Sequence, residues 1–214
     1  MGESEDIQYR KQLSNNAMNK MNDVWLKNDK VKVEIRIKMY NTLIKPILMY
    51  NSSTWGMSEN DTKNLNSFHR KHLRRILNVK FPDNLRNKEV YKKTGGKPIS
   101  LEILDGRWRM LGHVLRLHVE IPAHMAMLNY FKKSIQPKFQ GRPRVTLPST
   151  LSDDLAKTAS SSEEFYNTYK VNSYRNIADY KKLRVIAGDR KGWKKFTNVI
   201  YETAEAEARS SEMS

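Results

Sequence analysis

The sequence predicts an all-α protein: a helical bundle over residues 1–133, a basic Pro- and Gly-containing loop or linker over 134–150, and a smaller helical extension over 151–214. Three observations carry this reading. Apolar side chains recur at steps of three and four residues along most of the chain, the spacing that gathers them on one face of a helix. Most Gly and Pro residues fall between such stretches and punctuate them. Four Trp and ten Tyr within a 38% apolar composition give 214 residues enough burial for a core.

Taken in order, Ile7, Leu13, Ala17, Met18, Met21, Val24 and Trp25 define a first amphipathic helix that stops near Lys27-Asn28-Asp29. Residues 31–50 follow as a second apolar-rich segment. Val31, Val33, Ile35 and Ile37 alternate as in a strand, yet the segment is too long for one and reads as helix. Pro46 is expected to kink or break its last turns, because it lacks an amide donor and crowds the preceding turn. Residues 58–77 form the cleanest helix, with Ser58 or Asp61 as N-cap and Leu65, Phe68, Leu73, Ile76 and Leu77 as the buried stripe. Arg70, Lys71, Arg74 and Arg75 lie on its other face.

A turn at Phe81-Pro82-Asp83-Asn84 precedes a short helix that Gly95 and Gly96 terminate. Pro98 suits the first turn of a longer helix holding Ile103, Leu104, Leu111, Val114 and Leu115, flanked by Arg107, Arg109 and Arg116. The periodicity is lost over 134–148, and this stretch is the expected domain boundary. Helices resume at 151–159, 163–169, 177–187 and 191–208, with a cap in Ser160-Ser161-Ser162 and a break followed by a cap at Gly188-Asp189. After Tyr201 the Glu and Ala residues favour helix but lack an apolar face, so this end is expected to fray.

No apolar run approaches the length of a membrane span, and the acidic opening Met1-Gly2-Glu3-Ser4-Glu5-Asp6 does not fit a secretory signal. Without Cys there are no disulfides and no thiolate zinc sites. Together these point to an intracellular protein of the nucleus or cytoplasm. The formal net charge of +16 is placed, not spread: residues 62–150 carry 19 Lys and Arg against 5 Asp and Glu, while the flanks hold 9 against 8 and 11 against 10. Such placement predicts an anionic partner.

Four ordered motifs carry a family resemblance. They are Tyr50-Asn51-Ser52-Ser53-Thr54-Trp55, Leu73-Arg74-Arg75-Ile76-Leu77, Arg107-Trp108-Arg109-Met110-Leu111-Gly112-His113-Val114-Leu115-Arg116, and Gly141-Arg142-Pro143-Arg144. Together with Ala187-Gly188-Asp189-Arg190-Lys191-Gly192-Trp193-Lys194, the chain from about residue 7 to 200 resembles the region downstream of the polymerase core in non-LTR retrotransposon reverse transcriptases. Asn51 stands where that family usually has Gly, Gly106 where it has a basic residue, and Leu147 where many members have Trp. The resemblance implies a thumb-like helical segment and its C-terminal extension, which grip a template-primer duplex beside the palm. Neither the palm nor the upstream endonuclease falls within this pattern, and the abrupt start inside it also fits a truncated element.

The residues themselves suggest no chemistry. Polymerase catalysis needs carboxylates that hold two Mg ions, in this family an aromatic-Ala-Asp-Asp hairpin. Asp153-Asp154 sits in a helical pattern instead, where a helix N-terminus favours acids. His69 and His72, with His113, His118 and His124, lack the converging partners that zinc requires. No catalytic residue, metal or cofactor is therefore expected, and Gly112 and His113 are read as structural, His113 through a buried hydrogen bond.

The expected contacts are Arg70, Lys71, Arg74, Arg75, Arg107, Arg109, Arg116, Arg142 and Arg144 on the phosphates of RNA, DNA or their hybrid, since the Arg fork bonds phosphate bidentately. Affinity led by the backbone is strongly salt-dependent. Trp55 and Trp108 suit either base stacking or the core. The loop at Gly141-Arg142-Pro143-Arg144 suits either a minor-groove arm or a spacer. A competing reading is a domesticated or degenerate protein-interaction module, whose apolar helix faces dock on another protein such as a polymerase palm segment.

Overall fold

The computed structural model describes residues 3–28, 30–79, 82, 85–129 and 145–211. Those residues are mainly helical, with eleven α-helices and no strand among them. No described helix is long and apolar enough to cross a membrane. The chain divides into two compact units, Met1–Ser52 with Glu59–Ile103 and Ser211–Ser214, and Ser53–Ser58 with Leu104–Ser210.

In the first unit α1 (Glu3–Met21) runs into a π turn at Asn22–Leu26. The Lys27 amide bonds the Asn22 carbonyl at 2.8 Å, one residue wider than an α turn. That extra residue rotates the helix face. Leu26 enters the core, while Val24 and Trp25, expected on the buried stripe, are exposed. The segment 31–50 is helical as expected: α2 (Val33–Met39), a π turn at Tyr40–Ile44, and α3 (Lys45–Met49). Pro46 does not break it, because it sits at the first positions of α3 just after the π turn, where the wider turn accommodates the missing amide.

Asn51 follows with φ 59°, a left-handed conformation that Gly adopts freely and Asn better than most other residues. α4 (Glu59–Ile76) buries Leu65, Leu73 and Ile76, and its stripe is completed by His69 and His72. α5 (Asn87–Thr94) ends on Gly95 at φ 62°. Met18, Leu26, Tyr40, Ile44, Leu73, Ile76, Val90 and Tyr91 form this unit's core.

α6 (Ile99–Arg116) opens after Pro98 and contributes residues to both units. The division thus falls inside a helix, not in the Pro- and Gly-containing stretch, of which only 145–150 are described. Leu104, Trp108, Leu111 and Leu115 belong to the second core, together with residues from α8 (Leu147–Ser161), α9 (Glu163–Tyr169), α10 (Ile177–Gly188) and α11 (Arg190–Ser211). α7 (Pro122–Asn129) is short.

α8 begins four residues earlier than expected. Thr146 caps it in a box with Ser149, and Pro148 takes an early position where its missing amide costs nothing. Ser162 caps α9, Asn176 caps α10, and Asp189 accepts from the Lys191 and Gly192 amides, each at 2.9 Å, at the start of α11. α11 stays helical to Ser211, against the expected fraying, with Val199, Tyr201 and Ala204 still packed on the core.

Candidate nucleic-acid interface

The structure sorts the expected phosphate contacts into inward and outward groups. Arg107 is buried and paired with Asp154 at 3.0 Å, so it is corrected from a surface contact to a core ion pair. Trp108 is fully buried and donates its indole N–H to the same Asp154 oxygen at 3.0 Å. Trp55 is buried too, so both Trp residues belong to the core and neither offers a base-stacking face. Burial raises the Asp154 carboxyl above the ordinary range, opposed by the Arg107 charge and by hydrogen bonds from Trp108 and Arg107. Asp153 is exposed. The acid pair lies in mid-helix and does not converge, and Asp154 serves the core rather than a helix N-terminus.

Arg74 donates to the Leu85 carbonyl at 3.0 Å and to Asn87 Oδ1 at 2.9 Å, tying the start of α5 to α4. Arg75 reaches Asn19 Oδ1 at 2.8 Å and Asn15 Oδ1 at 3.5 Å on α1. Arg116 donates to the Ala187 carbonyl at 3.2 Å, at the C-terminal end of α10. Each of these three is half-buried and holds elements together. Arg70 is half-buried, 3.5 Å from the Tyr91 hydroxyl. Lys71 is exposed, and Arg109 is exposed in an i,i+4 pair with Asp105 at 3.7 Å. Arg142 and Arg144, with the rest of their motif, lie outside the described residues.

Gly112 is buried where a Cβ would overlap the Trp193 indole, whose N–H bonds the Trp108 carbonyl at 3.2 Å. Its structural role follows from that close approach. At Gly106 a Cβ would stand 2.9 Å from Ser53 Oγ, close enough that the Ser53 side chain would have to shift. His113 is exposed and makes no buried hydrogen bond, a correction to its expected role. The buried imidazole of the second unit is His124, bonded to the Leu117 carbonyl at 3.0 Å and to the Tyr180 hydroxyl.

His69 and His72 face the first unit's core. His69 Nδ1 bonds the Tyr40 hydroxyl at 2.8 Å. Burial, then the Lys45, His72 and Arg70 charges, push its pKa down to about 3. Burial, with Arg75 and Lys71, pushes His72 down to about 4. Beside His69 lies a cleft of about 290 Å³ bordered by Lys45, Thr94, Gly95, Gly96, Lys97 and Glu102. Lys45 and Glu102 neutralise each other across 3.0 Å. No group of three or more His, Asp or Glu that could hold a metal ion occurs among the described residues.

The outward group includes residues that motif reading passed over. On α5, Lys88, Lys92 and Lys93 are exposed, while Val90, Tyr91 and Thr94 are buried. Glu89 is engaged at the Arg86 amide at 2.8 Å, capping the helix. Lys71 stands on the neighbouring helix, and none of these four lysines forms an ion pair with a described acid. Their signal in the sequence was the acid-poor run itself, since α5 has no motif-like arginine. Compared with protein-family models, with curated proteins and with solved structures, the chain matches none.

Proposed function

We propose that the chain binds the phosphate backbone of nucleic acid through the α4–α5 face of its first unit, as a thumb-like fragment of a non-LTR retrotransposon reverse transcriptase that performs no catalysis alone. One observation carries the reading: Lys71, Lys88, Lys92 and Lys93 are exposed and form no ion pair with an acid among the described residues, beside half-buried Arg70. Exposed lysines on adjacent packed helices suit a ligand with repeated negative charge. Side chains of this kind read shape and charge, not bases, so RNA–DNA hybrid and duplexes of any sequence bind alike.

The test is anisotropy of a labelled hybrid between about 50 and 200 mM salt, with the triple variant K71A/K92A/K93A. Binding should weaken steeply with salt, and the variant should lower the log–log slope by about 3, at roughly 0.9 per phosphate contact. A salt-indifferent signal, or a variant that binds as tightly as the parent, overturns the proposal.

The competing reading, a module that docks on another protein, draws on exposed Ile35 and Leu43, eight residues apart on the helical run of α2 and its π turn. Association with an upstream polymerase segment that survives high salt would favour it.

A further inference from the structure

We propose that the corner between α10 and α11 is a second surface for a nucleic-acid phosphate backbone, built by the second unit and separate from the α4–α5 face. It takes its ligand class from the function proposed above, but not its site. Residues 170–195 carry nine Lys and Arg against two Asp, although the whole stretch after Thr150 is nearly balanced. All nine basic residues are exposed.

Only two aspartates stand against these nine cations. Asp179 is buried, accepting from the Ser173 hydroxyl at 2.6 Å and the Arg175 amide at 3.1 Å. Asp189 holds the first amides of α11. Those amides are therefore occupied, and an anion at the corner would be held by side chains, not by the helix terminus. Tyr180, Leu183 and Ala187 of α10 and Trp193, Phe196 and Ile200 of α11 bury their faces in one core. Lys181, Lys182 and Arg184 are thereby exposed on one helix, Lys182 donating to the Lys170 carbonyl at 2.9 Å and Arg184 to the Tyr180 hydroxyl, and Arg190, Lys191, Lys194 and Lys195 are exposed on the other.

The arrangement is unfavourable for the fold alone. Arg190 with Lys194, and Lys191 with Lys195, are like-charged i,i+4 pairs, and Arg190 and Lys191 stand in the first turn, at the positive end of the α11 dipole. The acids of α11, Glu202, Glu205 and Glu207, lie in its C-terminal half. None of the seven outward cations is in an ion pair with a described acid. A repeated anion would offset both costs, and two cationic rows stepped by about 6 Å suit a line of phosphates better than a single charge. The outward positions of α11 are polar, and Ile177 and Val185 on α10 are too few to anchor in a bilayer.

The test uses the full chain with K181Q/K182Q/K194Q/K195Q, all exposed positions, after circular dichroism and urea unfolding confirm the parent fold. The probes are a labelled mixed-sequence DNA duplex, an RNA–DNA hybrid and phosphatidylserine vesicles. Affinity for both nucleic acids should fall tenfold or more, with a log–log salt slope shallower by about 3 to 4. The four Lys→Arg replacements should restore it. The same loss should occur in the K71A/K92A/K93A background, which separates the two faces: if only the corner variant loses binding, the α4–α5 proposal falls and this one stands. Unchanged affinity and slope, or loss of vesicle binding with nucleic-acid binding intact, overturns the inference.

Discussion

His72 is an aromatic plate in the first core more than a polar residue. It packs against Phe68 at 4.4 Å between ring centroids and edge-on to Tyr40 at 5.8 Å, and neither ring nitrogen has a hydrogen-bond partner among the described residues. With His69 it ties stability to pH. The unfolded imidazoles titrate near 6.5, whereas the folded values are pushed down to about 3 for His69 and about 4 for His72. Below about pH 6.5 the unfolded chain binds protons that the folded chain refuses, so this stability is full above 6.5 and is lost as pH falls. The loss is roughly 1.4 kcal/mol per pH unit for each group until its folded value is reached. Urea midpoints should therefore drop between pH 7 and pH 5. H72F should halve that dependence and leave the pH 7 midpoint unchanged or higher, since a phenyl ring keeps the contacts and has no nitrogen to satisfy. An undiminished pH dependence in H72F would mean that His72 does not contribute to it.

Among elements, arginine and lysine divide the labour. The Arg fork that suits phosphate also suits carbonyls and side-chain amides, and Arg74, Arg75 and Arg116 use it to tie helix to helix. Lys71, Lys92 and Lys93 stay in water. The most deeply buried of these ties is Arg107 to Asp154, between α6 and α8, with the Trp108 N–H on the same oxygen. R107A or D154A alone strands a buried charge and should cost about 3 to 5 kcal/mol, while R107L/D154L should recover most of that loss. Thermal melts of the three variants give the coupling directly. If the double variant is as unstable as the sum of the singles, the pair is not the reason that these residues matter.

At the scale of the whole molecule, the net charge of +16 works in two directions. Self-repulsion strains the compact state and salt screens it, so raising NaCl from about 50 to 300 mM should raise the urea midpoint while it weakens the proposed nucleic-acid binding. A midpoint that falls with salt would show that specific ion pairs, not repulsion, dominate. Periodicity was enough to place nearly every helix, because the three-to-four spacing of apolar residues is a local property of the chain. It mistook Val24 and Trp25 for core, since one π turn shifts the phase without leaving a mark in composition. The linker-like stretch likewise did not set the units, because the second core draws α6 together with α8 to α11 across it. The sequence by itself determined an all-α chain and an excess of positive charge concentrated in its middle. Only the tertiary structure decided which cations remain at the surface, because burial and pairing depend on which helices meet. It drew Arg107, Arg74 and Arg75 inward and left the lysines of α4, α5, α10 and α11 outside.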